Sequence, residues 1–170
     1  MRGVGQGIEH GNVLLTSLPV LGVRRHDLSV VGREPRAALE VDLAWQGSRL
    51  RVVVTHLGLA AHERRVQVER LLALLPRDQA ITVLLGDINE WWLWGRPLRR
   101  LHRRFGSSPS VRTYPARLPL FALDRIWVSP PWAVTALDTL VGPATWSASD
   151  HRPVIATLRP RGTQALQAGE

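Results

Sequence analysis

The chain has 170 residues, 45% of them hydrophobic, enough for one sizeable core and too few for two ordinary domains. It contains no cysteine, which excludes disulfides, thiolate nucleophiles and Cys-based zinc sites, so any metal must sit on oxygen or imidazole. All 22 basic residues are arginine, against 14 acidic ones, giving a formal charge of +8; a surface for phosphate and plain coding bias account for this equally well.

From the N-terminus, no run reads as a secretory signal or a membrane span, because Glu9, His10, Gly11 and Asn12 interrupt the only early apolar stretch. A soluble, cytoplasmic protein is the expectation. Residues 11–20 are apolar and predict a strand. Residues 37–45 and 49–56 predict two more, joined by a hairpin turn at Gln46-Gly47-Ser48. Residues 62–75 place Val68, Leu71, Leu72 and Leu75 at i, i+3, i+4 and i+7, with Pro76 just beyond, the pattern of an amphipathic helix. The branched run at 81–85 is too short for a helix and reads as a buried strand. A short basic helix is predicted over 96–105 and a loop over 106–110. Strands follow at 122–129, 134–140 and 153–158, and the Gly-, Gln- and Ala-containing tail from Pro160 reads as disordered. The organisation is mixed α/β.

Polar residues gather where these strands end, the places where a scaffold presents reactive groups. His56 closes one strand. Asp87 and Asn89 follow another, two residues apart, so an extended backbone would point both the same way. Asp124 opens a strand between apolar neighbours, and Asp150-His151 precede the last one. Each has a bland reading when taken singly: an Asx turn for Asp87 and Asn89, a turn cap for Asp150, an arginine salt bridge for Asp124, and packing or surface roles for the two histidines. Together, Asp and Asn oxygens suit Mg²⁺ or Mn²⁺, and a carboxylate-oriented histidine beside them suits proton donation or phosphate binding. The reaction class this inventory fits is metal-assisted hydrolysis of a phosphate ester.

These motifs resemble, in order, those of the endonuclease/exonuclease/phosphatase (DNase I-like) superfamily. Gly11-Asn12-Val13-Leu14-Leu15-Thr16-Ser17 is similar to its "GNAILSR" strand, Thr55-His56-Leu57 to "THL", and Gly86-Asp87-Ile88-Asn89 to "GDFN". Leu123-Asp124-Arg125-Ile126-Trp127-Val128 resembles "LDYIFV", and Ser149-Asp150-His151-Arg152-Pro153 resembles "SDHxP". Thr113-Tyr114-Pro115-Ala116 resembles the "TFPA" stretch of bacterial members, as do Arg64, Arg65 and Gln67, which are expected to be structural or rim residues.

The resemblance implies a four-layered α/β fold, a β-sandwich with flanking helices. By it, His151 contacts the scissile phosphate and is oriented by Asp124, and Asp150 binds the metal. Asp87 positions or deprotonates water and shares the metal, Asn89 hydrogen-bonds phosphate, and His56 contacts phosphate or assists the leaving group. The family's opening "TWNI" and "LQEV" strands, the second carrying a metal-binding Glu, have no counterpart here. A flexible N-terminus over 1–10, an N-terminally truncated domain over 11–159 and a disordered tail over 160–170 are therefore expected, with self-association through exposed sheet edges.

Two other readings compete with a phosphodiesterase or nuclease. One is a catalytically incomplete chain that binds phosphate without turnover; the other is a basic nucleic-acid-binding module, for which no reader motif is present. Trp91 and Trp92 are expected to form a wall of the substrate cleft.

Overall fold

The computed structural model describes residues 11–75 and 80–160, so the expectations for 1–10 and 161–170 lie outside the described residues. A five-stranded sheet has the order β1 (Val20–Asp27), β2 (Ala37–Trp45), β3 (Ser48–His56), β4 (Ile81–Asp87), β5 (Asp124–Ser129). Neighbours run antiparallel except β3 and β4, whose parallel crossover is carried by α1 (Ala61–Leu74). The hairpin between β2 and β3 turns on Gln46 and Gly47, whose φ values of 46° and 73° are the left-handed conformations that let a two-residue turn follow the right-handed twist of its strands. α2 (Arg96–Phe105) follows β4. After β5, β6 (Val134–Thr139), the short α3 (Pro143–Ala148) and β7 (Val154–Leu158) complete the chain, β6 and β7 pairing as a second sheet.

Strand alternation divides the core in two. Ala38, Val53, Leu84 and Trp127 turn to the helices, meeting Val68 and Leu71 of α1 and Leu98, Leu101 and Phe105 of α2. Val41, Val52, Val83 and Val128 turn the other way, toward Val134 of β6 and Leu158 of β7. Each Val, Leu or Phe among them contributes about 1.5–3 kcal/mol when fully buried. The result is helices, a mixed sheet and a second sheet in layers, the α/β arrangement the sequence implied.

Three differences are informative. Residues 11–19 form no strand: Asn12 Nδ2 donates to the Ala37 carbonyl at 2.7 Å and Leu14 and Leu18 pack on the inter-sheet core, but no ladder partner flanks the segment among the described residues. The strand begins instead at Val20. Its polar residues Arg24 and His26 reach Glu40 and Asp42, a pattern that hydrophobic periodicity does not register. α1 buries Glu63, Arg64 and Gln67 as well as its apolar face. Lastly, β4 continues two residues beyond the expected end, through Gly86 to Asp87. Among the described residues no helix is long and apolar enough to cross a membrane.

Candidate active site

The crossing of three strand ends sets the site. Register pairs His56 of β3 with Asp87 of β4, and Asp87 with Asp124 of β5, so the three side chains stand side by side across adjacent strands. Parity places them on one face. His56 follows Val52 and Val54, Asp87 follows Val83 and Leu85, and Asp124 precedes Ile126 and Val128, all of which face the second sheet. His56 Nε2 lies 3.4 Å from Asp87 Oδ2.

From the second layer, the segment before β7 brings in His151. Its Nδ1 lies 2.7 Å from Asp124 Oδ2, the two being residues 27 apart in the chain. Backbone bonds hold that segment: Ala116 N–H donates to the Asp150 carbonyl at 2.7 Å and Arg152 N–H to the Thr113 carbonyl at 2.8 Å, while Arg152 Nε reaches the Ala116 carbonyl at 2.6 Å. The Tyr114 ring lies 5.0 Å from the His151 ring. Asp124 does not pair with Arg125, which is buried and donates to the Ala122 carbonyl at 3.0 Å.

Asn89, buried and at φ 53°, turns the chain after β4. Its backbone N–H donates to Asp87 Oδ1 and its Nδ2 to the Leu57 carbonyl, both at 2.8 Å. One amide hydrogen therefore ties the β3 and β4 loops together. Asp150 is the outlier of the expected set: its side chain is exposed at the rim, one residue from His151.

The electrostatics are uneven. Burial pushes the Asp87 carboxyl above its ordinary range, and the neighbouring Asp124 charge adds to this, against its hydrogen bond from Asn89 and the nearby histidines. Burial lowers the His56 imidazole despite Asp87 beside it. For His151, burial disfavours the charged form, but the Asp124 hydrogen bond and the charges of Asp124, Asp87 and Asp150 outweigh it and raise the pKa.

The hard oxygen donors of Asp87 and Asp150 fit Mg²⁺ or Mn²⁺, which bind through one or two carboxylates together with water and phosphate. Asp87 and Asp124 stand side by side, and the repulsion between the two carboxylates, offset in part by His56 and His151, is what a cation there would relieve. Among the described residues, no group of three His, Cys, Asp or Glu side chains stands ready as a fuller ligand set.

A cleft of about 320 Å³ opens beside Asp124 and His151, lined also by Gly86, Arg125, Ser149 and Arg152. A groove of about 300 Å³ on α1 and α2 is lined by Leu72, Arg100, Arg103 and Arg104 and offers neither carboxylate nor imidazole, so the chemistry belongs to the first. Of the two expected wall residues, Trp91 packs edge-on to Phe121 at 4.8 Å and Tyr114 at 5.8 Å, continuing the aromatic wall that reaches His151. Trp92 instead turns outward onto Trp94.

Arg64 and Gln67, expected as structural or rim residues, support the site from below together with Glu63 and Glu90, which sequence reasoning left unassigned. Gly58 N–H donates to Gln67 Oε1 at 2.8 Å, Gln67 Nε2 to Glu63 Oε1 at 3.1 Å, and Arg64 contacts both the Leu59 carbonyl and Glu90. These buried groups fix the loops that follow His56 and Asp87. Their signal in the sequence was polar residues recurring on the apolar face of α1.

A family model described as Endonuclease/Exonuclease/phosphatase family matches residues 2–151. The uncharacterized protein YbhP of Escherichia coli K12 is 32% identical over 162 residues, an alignment that takes in 88% of this chain and 62% of that protein. This chain thus spans less than two thirds of the length of the curated relatives it matches. A functionally unknown conserved protein from Enterococcus faecalis V583 has a TM-score of 0.71 at 20% identity, covering 84% of this chain and 67% of the other. An endonuclease/exonuclease/phosphatase from Bacteroides vulgatus has a TM-score of 0.69 at 19% identity, covering 82% and 65%.

Proposed function

The chain belongs to the endonuclease/exonuclease/phosphatase family, and from that premise we propose that it hydrolyses a phosphate ester, with nucleic acid among the candidate substrates, where β3 and β4 end and β5 begins. The observation that carries this is the row His56, Asp87, Asp124 across three strands, with His151 hydrogen-bonded to Asp124 at 2.7 Å.

In this reading Asp124 takes the Nδ1 proton of His151 in a hydrogen bond, which orients the ring and leaves Nε2 for a phosphate oxygen. The raised pKa favours the charged imidazole, the form that binding an anion or protonating a leaving oxygen requires. Asp87, a stronger base than a solvated carboxylate, aligns the attacking water and draws its proton. Asn89 gives its second amide hydrogen to phosphate, and His56 contacts phosphate beside Asp87 or assists the leaving group. Mg²⁺ or Mn²⁺, when held by Asp87 and Asp150, supplies neutralisation of the charge that develops on the phosphate oxygens. A cytoplasmic setting and self-association through the edge of β1, where Val20, Leu21 and Val23 are exposed, belong to the same proposal.

One observation favours a second reading, phosphate binding without turnover: the described residues provide no trio of metal-binding side chains. Incubating the purified chain with bis(p-nitrophenyl) phosphate or plasmid DNA, in Mg²⁺, Mn²⁺ or EDTA, separates the two. The hydrolase reading expects turnover that EDTA abolishes and that His151→Ala lowers at least about 100-fold. Turnover indifferent to both changes overturns it. Phosphate binding by calorimetry with no turnover in any metal establishes the second reading.

A further inference from the structure

The loops around the site carry apolar side chains that nothing in the hydrolytic chemistry uses. β3 and β4 are parallel and β5 antiparallel, so the loop after β3, the loop after β4 and the loop before β5 all emerge at the end of the sheet that holds His56, Asp87 and Asp124. At that end Trp92, Leu93 and Trp94, consecutive in sequence, are 62%, 56% and 67% exposed. Leu118 and Leu120 are exposed on the neighbouring loop, and Leu59 on the third.

The three loops are physically joined. Arg64 contacts the Leu59 carbonyl and Glu90, Glu90 Oε1 accepts the Trp92 N–H at 3.3 Å, and Trp91 packs on Phe121, next to Leu120. The Trp92–Trp94 tip is therefore pinned at its base by a buried carboxylate and closed by Gly95 N–H donating to the Trp92 carbonyl at 2.9 Å. It is held outward by structure. Single exposed apolar residues are ordinary on a protein surface, whereas a continuous run beside further exposed leucines marks an interaction site.

Positive charge borders the tip. Arg96 and Arg99, exposed on the first turn of α2, follow directly, and Arg117 stands beside Leu118. No carboxylate among the described residues pairs with any of these three. Indoles and aliphatic side chains at a loop tip, flanked by arginine, match the interfacial zone of a bilayer whose headgroups are anionic. A nucleic acid would stack on the indoles, but Leu59, Leu93, Leu118 and Leu120 give bases no aromatic face.

We infer that this rim docks the protein on an anionic phospholipid surface, so that the phosphate ester reaching the site is one carried by that surface. The assignment of substrate class rests on the hydrolase reading; docking itself does not.

The test is flotation of the chain with vesicles of phosphatidylcholine mixed with phosphatidylglycerol, against phosphatidylcholine alone, with indole emission followed in parallel. The expected result is association with the anionic vesicles and a blue shift. Both should weaken about tenfold or more in Leu93→Glu/Trp94→Glu and in Arg96→Glu/Arg99→Glu, with thermal unfolding unchanged. Turnover of soluble bis(p-nitrophenyl) phosphate should also be unchanged in these variants, since they lie outside the catalytic row. Failure of the wild-type chain to associate with anionic vesicles overturns the proposal. So does a dimer in light scattering that Leu93→Glu/Trp94→Glu dissociates, or single-stranded DNA binding by the rim in place of lipid. Vesicle association in a chain without turnover keeps the docking and removes the hydrolase reading; turnover without association does the reverse.

Discussion

Gly86 illustrates how one residue positions the chemistry. It sits at φ 141°, and a Cβ placed there would come 1.7 Å from the Thr55 carbonyl oxygen of the neighbouring strand. Only glycine lets β4 approach β3 closely enough for Asp87 to stand beside His56. Gly86→Ala is therefore expected to cost about 3 kcal/mol, from overpacking and backbone strain together, read as a lower urea midpoint. An unchanged midpoint would mean the close approach is not needed. The sequence made this position legible, because Gly86-Asp87-Ile88-Asn89 follows an apolar run too short for a helix. The partnership of Asp124 with His151 was a different matter. Its members are 27 residues apart, and without the resemblance nothing in local pattern joined them. Arg64 and Gln67 were legible only as rim or structural residues; that they are buried, with Glu63, depends on backbone groups of the loop after His56 needing donors and acceptors, which periodicity does not encode.

Among elements, β1 was the least legible. Its strand character comes from tertiary partners. On the helix-facing side, Arg51 Nε lies 2.9 Å from both Glu40 and Asp42, Arg24 Nη2 is 2.8 Å from Asp42, and His26 Nε2 is 2.6 Å from Glu40. Glu40, Asp42 and Arg51 are all buried, so the polar residues of an apparently amphipathic strand join an inner ion network. Burial alone would raise both carboxyls; hydrogen bonds from Arg24, with His26 on Glu40 and Arg51 on Asp42, more than offset it and leave both pKa values lowered. A carboxylate lowered on folding stabilises the native state at pH values above its unfolded pKa, and that contribution disappears as pH falls through the folded value. Acid unfolding should accordingly set in below the ordinary carboxylate range. Asp42→Asn, which leaves Arg51 underpaired in a buried place, is expected to lose about 3 kcal/mol at neutral pH. Its deficit against wild type should shrink as both are acidified. A deficit independent of pH would show that packing, and not charge, is what Asp42 provides. The helices α1 and α2 and the hairpin at Gln46-Gly47 were readable because local pattern and tertiary demand agree there.

For the whole molecule, the layering of helices, mixed sheet and second sheet explains why residues from positions 56, 87, 124 and 151 meet. Parallel β3 and β4 end together, β5 begins where they end, and the segment before β7 folds over from the opposite layer. At molecular scale the strand-end residues are rimmed by exposed indoles, leucines and arginines. The central claim is that the strand-end residues act as one unit on phosphate. It is tested most directly by kcat/KM for bis(p-nitrophenyl) phosphate in the wild type, Asp124→Asn, His151→Ala and the double variant. The account predicts a loss of at least about 100-fold in each single variant, with the double variant no worse than His151→Ala, because Asp124 works through the imidazole it orients. Losses that multiply in the double variant, or wild-type turnover in either single one, would contradict it.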